Sequence, residues 1–546
     1  MNKYTLQILF SIILVNGLLL SLSLLGPDFT IKSPIDGEEF VISFPDVRES
    51  LFKSAQQNNE NAENFLSKYD DSEEIEPETS TKDNGNEGLD DFLTNPETDG
   101  ERALDIFFKA LKNESESRVV RVAHYGDSQI EGDRITSYLR EFFQKEFGGE
   151  GVGYVPVDDI TDNVNYFRST SGNWERYNVF NHGYSSGKYA LSGLVFKYGN
   201  GKKEKKEDKG KDNGNDEQTT PEEDVKDEES PIEEKIEPEE TIPPDTSGGS
   251  LFSSKNSFYL ADSYNFLSSA KKQKPKKKKT ASLRGSVTLN FGKAVKFSKI
   301  GVFYGKTGSN AQVKISDLKS GDEISTVGLE GGSSFGLKYV KYRGNGSTIR
   351  FDIRTGINPE IYGFFFDGNN GVQIDNLAIR GHSGDGLLKI DKNYLQAQYD
   401  DLNVKLIILQ FGMNVMPTIH KESDLERVKK YYSNLFSGMK SRAKNASILV
   451  IGPGDMGVIR RGSNVSHPFI GRVVEIMKQC AIENGCAFWD TYHLMGGENS
   501  IAAWAQKGYA ARDGHFINRG QKIIAAELFK GINGAYKEYL DRIKIN

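Results

Sequence analysis

The stretch RVVRVAHYGDS, from Arg118 to Ser128, is a short apolar run that stops at a Gly-Asp turn. A run of this length, bounded by turn residues, reads as a buried strand. Two further continuous apolar runs lie downstream, LIILQFG (Leu406–Gly412) and SILVIGP (Ser447–Pro453). Between those two, Leu425, Val428, Tyr432, Leu435 and Met439 recur at spacings of three and four, which is one face of a helix. Buried strands alternating with amphipathic helices predict a parallel sheet covered on both faces, an α/β layer.

The middle of the chain has a different rhythm. SVTLNF (Ser286–Phe291), KIGVFY (Lys299–Tyr304), AQVKIS (Ala311–Ser316) and STIRFDI (Ser347–Ile353) are short alternating segments separated by Gly, Asn and Asp. That pattern predicts an antiparallel β-sandwich or jelly roll. The expected architecture is an α/β domain in two parts, 101–156 and 371–546, interrupted by a β domain over 157–370.

The chain has 546 residues, a 37% apolar content and a formal net charge of −8. Its mean hydropathy is −0.54. Both hydropathy and apolar content are low for a packed protein of this length, so polar segments must account for the shortfall. Residues 52–100 are rich in Asn, Glu, Asp and Ser and read as a disordered acidic tether. A Lys/Glu/Pro-rich tract over 199–249 and a basic run over 271–280 read as disordered loops within the β domain. The acidic balance argues against a nucleic-acid partner. Two cysteines, Cys480 and Cys486, and seven scattered histidines make a metal centre improbable, and the cysteines read as buried free thiols rather than a disulfide. No cofactor is expected.

Lys3 precedes a mostly apolar run from Leu6 to Leu25 that ends in Gly26-Pro27. The run is long for a signal-peptide core and long enough to span a bilayer. Residues 1–26 are therefore read as a signal anchor in preference to a cleaved signal peptide, which would place the rest of the chain in the cell envelope, outside the cytoplasmic membrane.

Three motifs carry chemistry. Gly126-Asp127-Ser128-Gln129 follows the first buried strand, at the carboxyl end where open α/β sheets place reactive groups. Gln410-Phe411-Gly412-Met413-Asn414 ends the second, with an amide able to donate to a developing oxyanion. Arg512-Asp513-Gly514-His515 precedes an amphipathic helix, and histidine is the side chain best suited to take a proton from serine near neutral pH. Each alone has an ordinary reading, as a turn, a strand end or a surface histidine. Gly149-x-Gly151-x-Gly153 echoes a dinucleotide loop but follows a helix rather than a strand. His124 and His182 read as structural, and Asp133 and Arg134 as ion-pairing or helix-start residues.

In this order the three motifs resemble the SGNH/GDSL hydrolase superfamily, with Gly381-His382-Ser383-Gly384 as its glycine block. The resemblance covers about 118–156 and 371–541, and implies a flavodoxin-like parallel sheet. It implies that Ser128 is the nucleophile and His515 its base. The N–H groups of Ser128 and Gly384 and the Asn414 amide would form the oxyanion hole. One departure stands out: the orienting Asp usually lies three residues before the His, a position held here by Arg512, while Asp513 lies two before. Asp513 is the first candidate, a Ser-His dyad the second, and Asp490 a distant third.

The long interval between Ser128 and Gly384, with GDSQIEGDR (Gly126–Arg134) and FGGEGVGYVP (Phe147–Pro156), is similar to peptidoglycan O-acetylesterases, in which a carbohydrate-binding-module-like jelly roll interrupts the hydrolase. That similarity implies an O-acetylated polysaccharide as substrate, with Trp174, Tyr177 and Tyr184 as possible sugar-stacking residues beside their commoner role as core aromatics. Two alternatives stay open. One is acetyl transfer by a membrane-tethered chain partnered with a membrane-bound O-acyltransferase. The other is a degenerate glycan-binding module.

Overall fold

A computed structural model describes residues 28–32, 39–43, 60–69, 75, 92–171, 174–198, 283–291, 295–308, 310–344, 348–355, 359–460, 462–517 and 519–545. The anchor expected over 1–26, the loop over 199–249 and the basic run over 271–280 lie outside them. Among the described residues, no helix is long and apolar enough to cross a membrane.

The strand Val119–Gly126 is the second of a six-stranded sheet, flanked by the edge strand Gly371–Ala378 on one side and Val404–Gln410 on the other. Ser447–Ile451 and Ala487–Trp489 continue the sheet in parallel, and Leu93–Thr94 closes it as an antiparallel edge. Counting the five parallel strands along the chain, their spatial order is 2-1-3-4-5, the flavodoxin-like doubly wound arrangement. In that arrangement the chain switches direction between strands 1 and 3, so a crevice opens at the carboxyl ends of Val119–Gly126 and Val404–Gln410. Both strands are buried almost throughout, which is why they read as continuous apolar runs. Helices Arg134–Phe147 and Arg519–Ile545 pack together through Phe142, Phe143 and Phe529, while Asp424–Arg442 packs on Ile470–Glu483.

The middle of the chain builds two antiparallel sheets. One contains Gly336–Lys341, Lys299–Tyr304, Glu360–Asp367, Leu194–Tyr198 and Trp174–Asn178 in that order, with Gly153–Val155 paired to Glu360–Asp367. The other contains Glu323–Leu329, Ala311–Asp317, Thr348–Thr355, Leu283–Asn290 and Phe167–Ser171. They share one apolar core, at whose centre the rings of Phe351 and Phe364 stack with centroids 3.7 Å apart. Arg121, on the first parallel strand, ties these sheets to the α/β layer: it meets Asp367 at 2.6 Å and Asp375 at 2.8 Å, all three buried. Tyr339 adds a hydrogen bond to Asp367 at 2.6 Å.

Two expectations are corrected. The stretch 52–100 contains ordered structure: the helix Glu60–Ser67 buries Ala62 and Leu66 in the α/β core, Phe65 stacks on Trp504, and Leu93–Thr94 joins the parallel sheet. Ala62, Phe65, Leu66 and Tyr69 form a narrow apolar face inside a window whose average composition is polar. The passage into the antiparallel sheets also begins by Gly153, ahead of the expected boundary after 156. There the glycine triplet threads between the sheets. A Cβ on Gly149, Gly151 or Gly153 would lie 2.4 Å from the Val372 carbonyl oxygen, 2.0 Å from that of Phe366 and 2.3 Å from Asp375 Oδ1 respectively. These glycines serve close backbone approach, not a nucleotide.

Candidate active site

Gly126 ends the first parallel strand, and the chain turns at once: Asp127 Oδ1 accepts from the Gln129 N–H at 3.0 Å and the Asp127 carbonyl from the Ile130 N–H at 3.3 Å. This tight Asx turn leaves Ser128 half-buried just beyond the carboxyl end of the first parallel strand. Its Oγ lies 2.7 Å from His515 Nε2.

His515 comes from a hairpin-like loop ahead of the last helix. The Ala511 N–H donates to the His515 carbonyl at 2.7 Å and the Gly514 N–H to the Ala511 carbonyl at 3.0 Å. Asp513 Oδ1 accepts from the His515 backbone N–H at 3.1 Å, and Oδ2 lies 3.0 Å from the imidazole Nδ1. One carboxylate thus braces both the backbone and the ring of the histidine, which is how an aspartate only two residues away reaches it. With Nδ1–H given to Asp513, Nε2 is left as the acceptor for the Ser128 hydroxyl. The hydrogen bond to Asp513 raises the His515 pKa above its ordinary value against the opposing effect of burial, and the same bond lowers that of Asp513. Asp490 is engaged elsewhere, 2.8 Å from His493 Nδ1.

Asn414 sits in the 3₁₀ turn Met413–Thr418 at the end of the neighbouring strand. Its Nδ2 donates to the His382 carbonyl at 3.0 Å and to Asp127 Oδ2 at 3.2 Å. The glycine block and the serine turn are therefore joined through one amide. Both amide hydrogens are engaged, so an oxyanion reaching Asn414 would share or displace the longer bond, the one to Asp127. Burial pushes the Asp127 carboxyl up to about 6. Gly384 has φ +103°, a conformation suited to glycine, and a Cβ there would lie 2.9 Å from Phe411 and Leu435. Among the described residues, the backbone N–H groups of Ser128 and Gly384 have no acceptor, so both are free to donate to a ligand.

His124 is buried and bonded to Gln410 at 3.0 Å and Thr136 at 3.1 Å, and burial lowers its pKa to about 4. His182 is exposed and bonded to the Arg176 carbonyl at 2.8 Å. Asp133 forms a buried two-pronged pair with Arg140, both contacts 2.8 Å, while Arg134 lies 3.6 Å from Glu131. Cys480 and Cys486 are separate buried thiols. Tyr177 and Tyr184 are half-buried and lie against each other, ring centroids 5.0 Å apart, and Trp174 packs edge-on against Tyr198. The structure adds one residue to which the sequence assigned no role. Gln129, buried beside Ser128, donates through Nε2 to the Gly514 carbonyl at 2.9 Å and accepts through Oε1 from the Phe516 N–H at 3.2 Å.

No protein-family model matches the chain, and no curated protein matches it. Among solved structures, a peptidoglycan O-acetylesterase aligns with 83% of this chain and 100% of its own, at 18% identity and a TM-score of 0.53. An acetyl xylan esterase and the acetylxylan esterase Axe2 of Geobacillus stearothermophilus each align with 30% of this chain at 16% identity. They cover 81% and 73% of their own chains with TM-scores of 0.22 and 0.24, too low to bear on the argument. The 2-1-3-4-5 sheet, the extra antiparallel sheets and the full-length overlap with the first of these structures give this chain the fold of the SGNH/GDSL hydrolases.

Proposed function

We propose that this chain is a serine ester hydrolase that removes O-acetyl groups from a cell-envelope polysaccharide such as peptidoglycan. The observation that carries the reading is the continuous hydrogen-bonded series Ser128–His515–Asp513, with steps of 2.7 and 3.0 Å, at the switch point of the parallel sheet. Ser128 Oγ attacks the acetyl carbonyl carbon as His515 Nε2 takes the hydroxyl proton. The tetrahedral oxyanion is held by the Ser128 and Gly384 N–H groups and the Asn414 amide, donors of a kind worth about 3 kcal/mol each in the transition state. His515 then returns the proton to the departing sugar oxygen, leaving an acetyl ester on Ser128. A water molecule, deprotonated by His515, releases acetate and restores the serine. The overlap with a peptidoglycan O-acetylesterase supports the choice of acyl group and glycan.

The location in the cell envelope rests on the apolar run Leu6–Leu25. The same run favours a second reading, acetyl transfer by a membrane-tethered chain that receives its acetyl group from a membrane-bound O-acyltransferase. A sugar hydroxyl would then replace water in the second half-reaction.

The test is acetate release by the full-length chain from p-nitrophenyl acetate and from O-acetylated peptidoglycan, beside Ser128→Ala. Turnover of both by the wild type and a loss of about 10⁶-fold in the variant is the expected result. Serine-dependent acetylation of an added sugar alcohol, without acetate release, would transfer the weight to the second reading. No turnover of any kind would leave a glycan-binding module.

A further inference from the structure

The His515 loop is rigid within itself, but its internal bonds do not fix where it stands relative to Ser128. Asp513, Ala511 and Gly514 all belong to the loop, and their hydrogen bonds travel with it. Its placement against the nucleophile depends on contacts that leave the loop. Gln129 supplies two of them, from the residue directly after Ser128, and they fall on the residues directly before and after His515. We propose that Gln129 is a positioning residue, an amide clamp that holds His515 in register with Ser128 for proton transfer. The inference rests on the serine-hydrolase reading above.

The chemistry of the clamp is specific to an amide. Gly514 presents a carbonyl and Phe516 an N–H, so the group between them must donate at one end and accept at the other. This requirement also fixes the orientation of the amide: Nε2 faces Gly514 and Oε1 faces Phe516. The second hydrogen on Nε2 points to Met413 Sδ at 3.5 Å. Gln129 is only 5% exposed, so no bulk water can replace a lost partner. The flexible-loop alternative, in which His515 is placed by packing alone, leaves a pair of buried backbone groups on either side of the base with nothing to satisfy them.

The clamp and Asp513 act on different properties of the same imidazole. Asp513 sets the tautomer and the pKa of the ring, whereas Gln129 sets its distance from Ser128 Oγ. Gln129→Met keeps the side-chain bulk and removes both hydrogen bonds. It is expected to lower kcat/KM ten- to hundredfold, since a displacement of about 1 Å at a reacting pair costs about that much. The pH midpoint should stay where the wild type has it, because the Asp513 contact moves with the loop.

Gln129→Glu gives the sharper readout. An ionised carboxylate accepts from Phe516 but faces the Gly514 carbonyl oxygen, while a protonated carboxyl donates to Gly514 and restores the original pattern. The acidic groups Asp127 and Glu131 on its own segment favour the protonated form, and His515⁺ across the gap opposes it. Acidification lowers wild-type activity by protonating His515, so the quantity to follow is the ratio of variant to wild-type kcat/KM. That ratio should rise as pH falls.

The experiment is the pH profile of kcat/KM for the full-length wild type, Gln129→Met and Gln129→Glu, with amide hydrogen exchange at Phe516 followed in the same proteins. Faster Phe516 exchange in Gln129→Met, a reduced plateau at an unmoved midpoint, and a Gln129→Glu ratio that climbs on acidification are the expected results. Wild-type rates in Gln129→Met, or a ratio flat with pH, would overturn the clamp. Should Gln129→Met fail to fold, the Gln129→Glu ratio decides alone. A wild type that hydrolyses nothing would remove the hydrolase reading instead, and unchanged Phe516 protection in Gln129→Met would still count against the clamp.

Discussion

Among the described residues, the α/β layer holds two aspartate–histidine pairs with nearly the same local geometry. In Asp513–His515 the carboxylate lies 3.0 Å from Nδ1 and also accepts from the histidine backbone N–H at 3.1 Å. In Asp490–His493 the corresponding distances are 2.8 and 3.0 Å. By proximity the second pair is the tighter, and its aspartate is the more buried, with 3% of the side chain exposed against 59% for Asp513. The difference lies at the far nitrogen of the ring. His515 Nε2 meets Ser128, 387 positions away in the chain, whereas the His493 ring packs edge-on against its neighbour Tyr492. A short Asp–His contact marks a local cap. A serine brought to it by the sheet marks a site.

The comparison can be broken most directly at the histidines. His515→Ala should lower kcat by about 10⁶-fold, the scale set by removing the base of a serine triad, and leave the melting temperature nearly unchanged. His493→Ala should leave acetate release at the wild-type rate. If the two variants lost activity equally, the assignment of roles to the two pairs would fall.

The aspartates should separate by kind of effect rather than by size alone. Asp513→Ala removes the group that orients and charges the imidazole, and should cost about a hundredfold in kcat. This is less than for a buried triad aspartate, because Asp513 is more than half exposed and its field is screened. Asp490 caps the helix Thr491–Leu494, so Asp490→Ala should cost about 1 kcal/mol of stability and leave kcat alone. Calorimetry and initial rates on the two variants check both halves. A stability loss at Asp513 with no rate loss, or the reverse at Asp490, would contradict the reading.

What could be read in the sequence follows from how far each signal reaches along the chain. The strand Val119–Gly126 and its Gly-Asp turn are local, and RVVRVAHYGDS displays both. The helix face through Leu425, Val428 and Leu435 is local as well, and those residues are buried as the spacing requires. The 2-1-3-4-5 order is not local, because each strand fits the sheet equally well by pattern and only its neighbours fix its place. The helix Glu60–Ser67 is hidden by averaging: its apolar face is narrow, and the acidic tract around it dominates the local composition. At the site, the residue types and their order suggested Ser128, Asn414 and His515, and the spacing left Asp513 in competition with a dyad and with Asp490. The Gln129 clamp had no sequence signature, since its partners are backbone groups 385 and 387 positions away.

The smallest effect is also the one that tells most about the Asp513–His515 pair, because the same contact serves stability and rate in opposite pH ranges. The Asp513 pKa is lowered on folding, so its contribution to stability is present above the unfolded carboxylate value of about 4 and is lost as pH falls through the folded one. The His515 pKa is raised, so its contribution is complete below the unfolded value of about 6.5 and is lost as pH rises through the folded one. The pair therefore stabilises the fold most between about pH 4 and 6.5, by a few tenths of a kcal/mol given its exposure to solvent. Catalysis needs the neutral imidazole, so kcat/KM should rise with pH through the folded His515 value, where the stabilising charge is being lost. In Asp513→Ala the kinetic midpoint should move down, and the difference in melting temperature from the wild type should be larger near pH 5.5 than near pH 9, where the imidazole is neutral and the bond from the His515 backbone N–H remains. A variant whose kinetic midpoint stayed in place while its stability difference was the same at pH 5.5 and pH 9 would mean that Asp513 braces the loop through the His515 backbone N–H alone, and that the imidazole owes its charge to other neighbours.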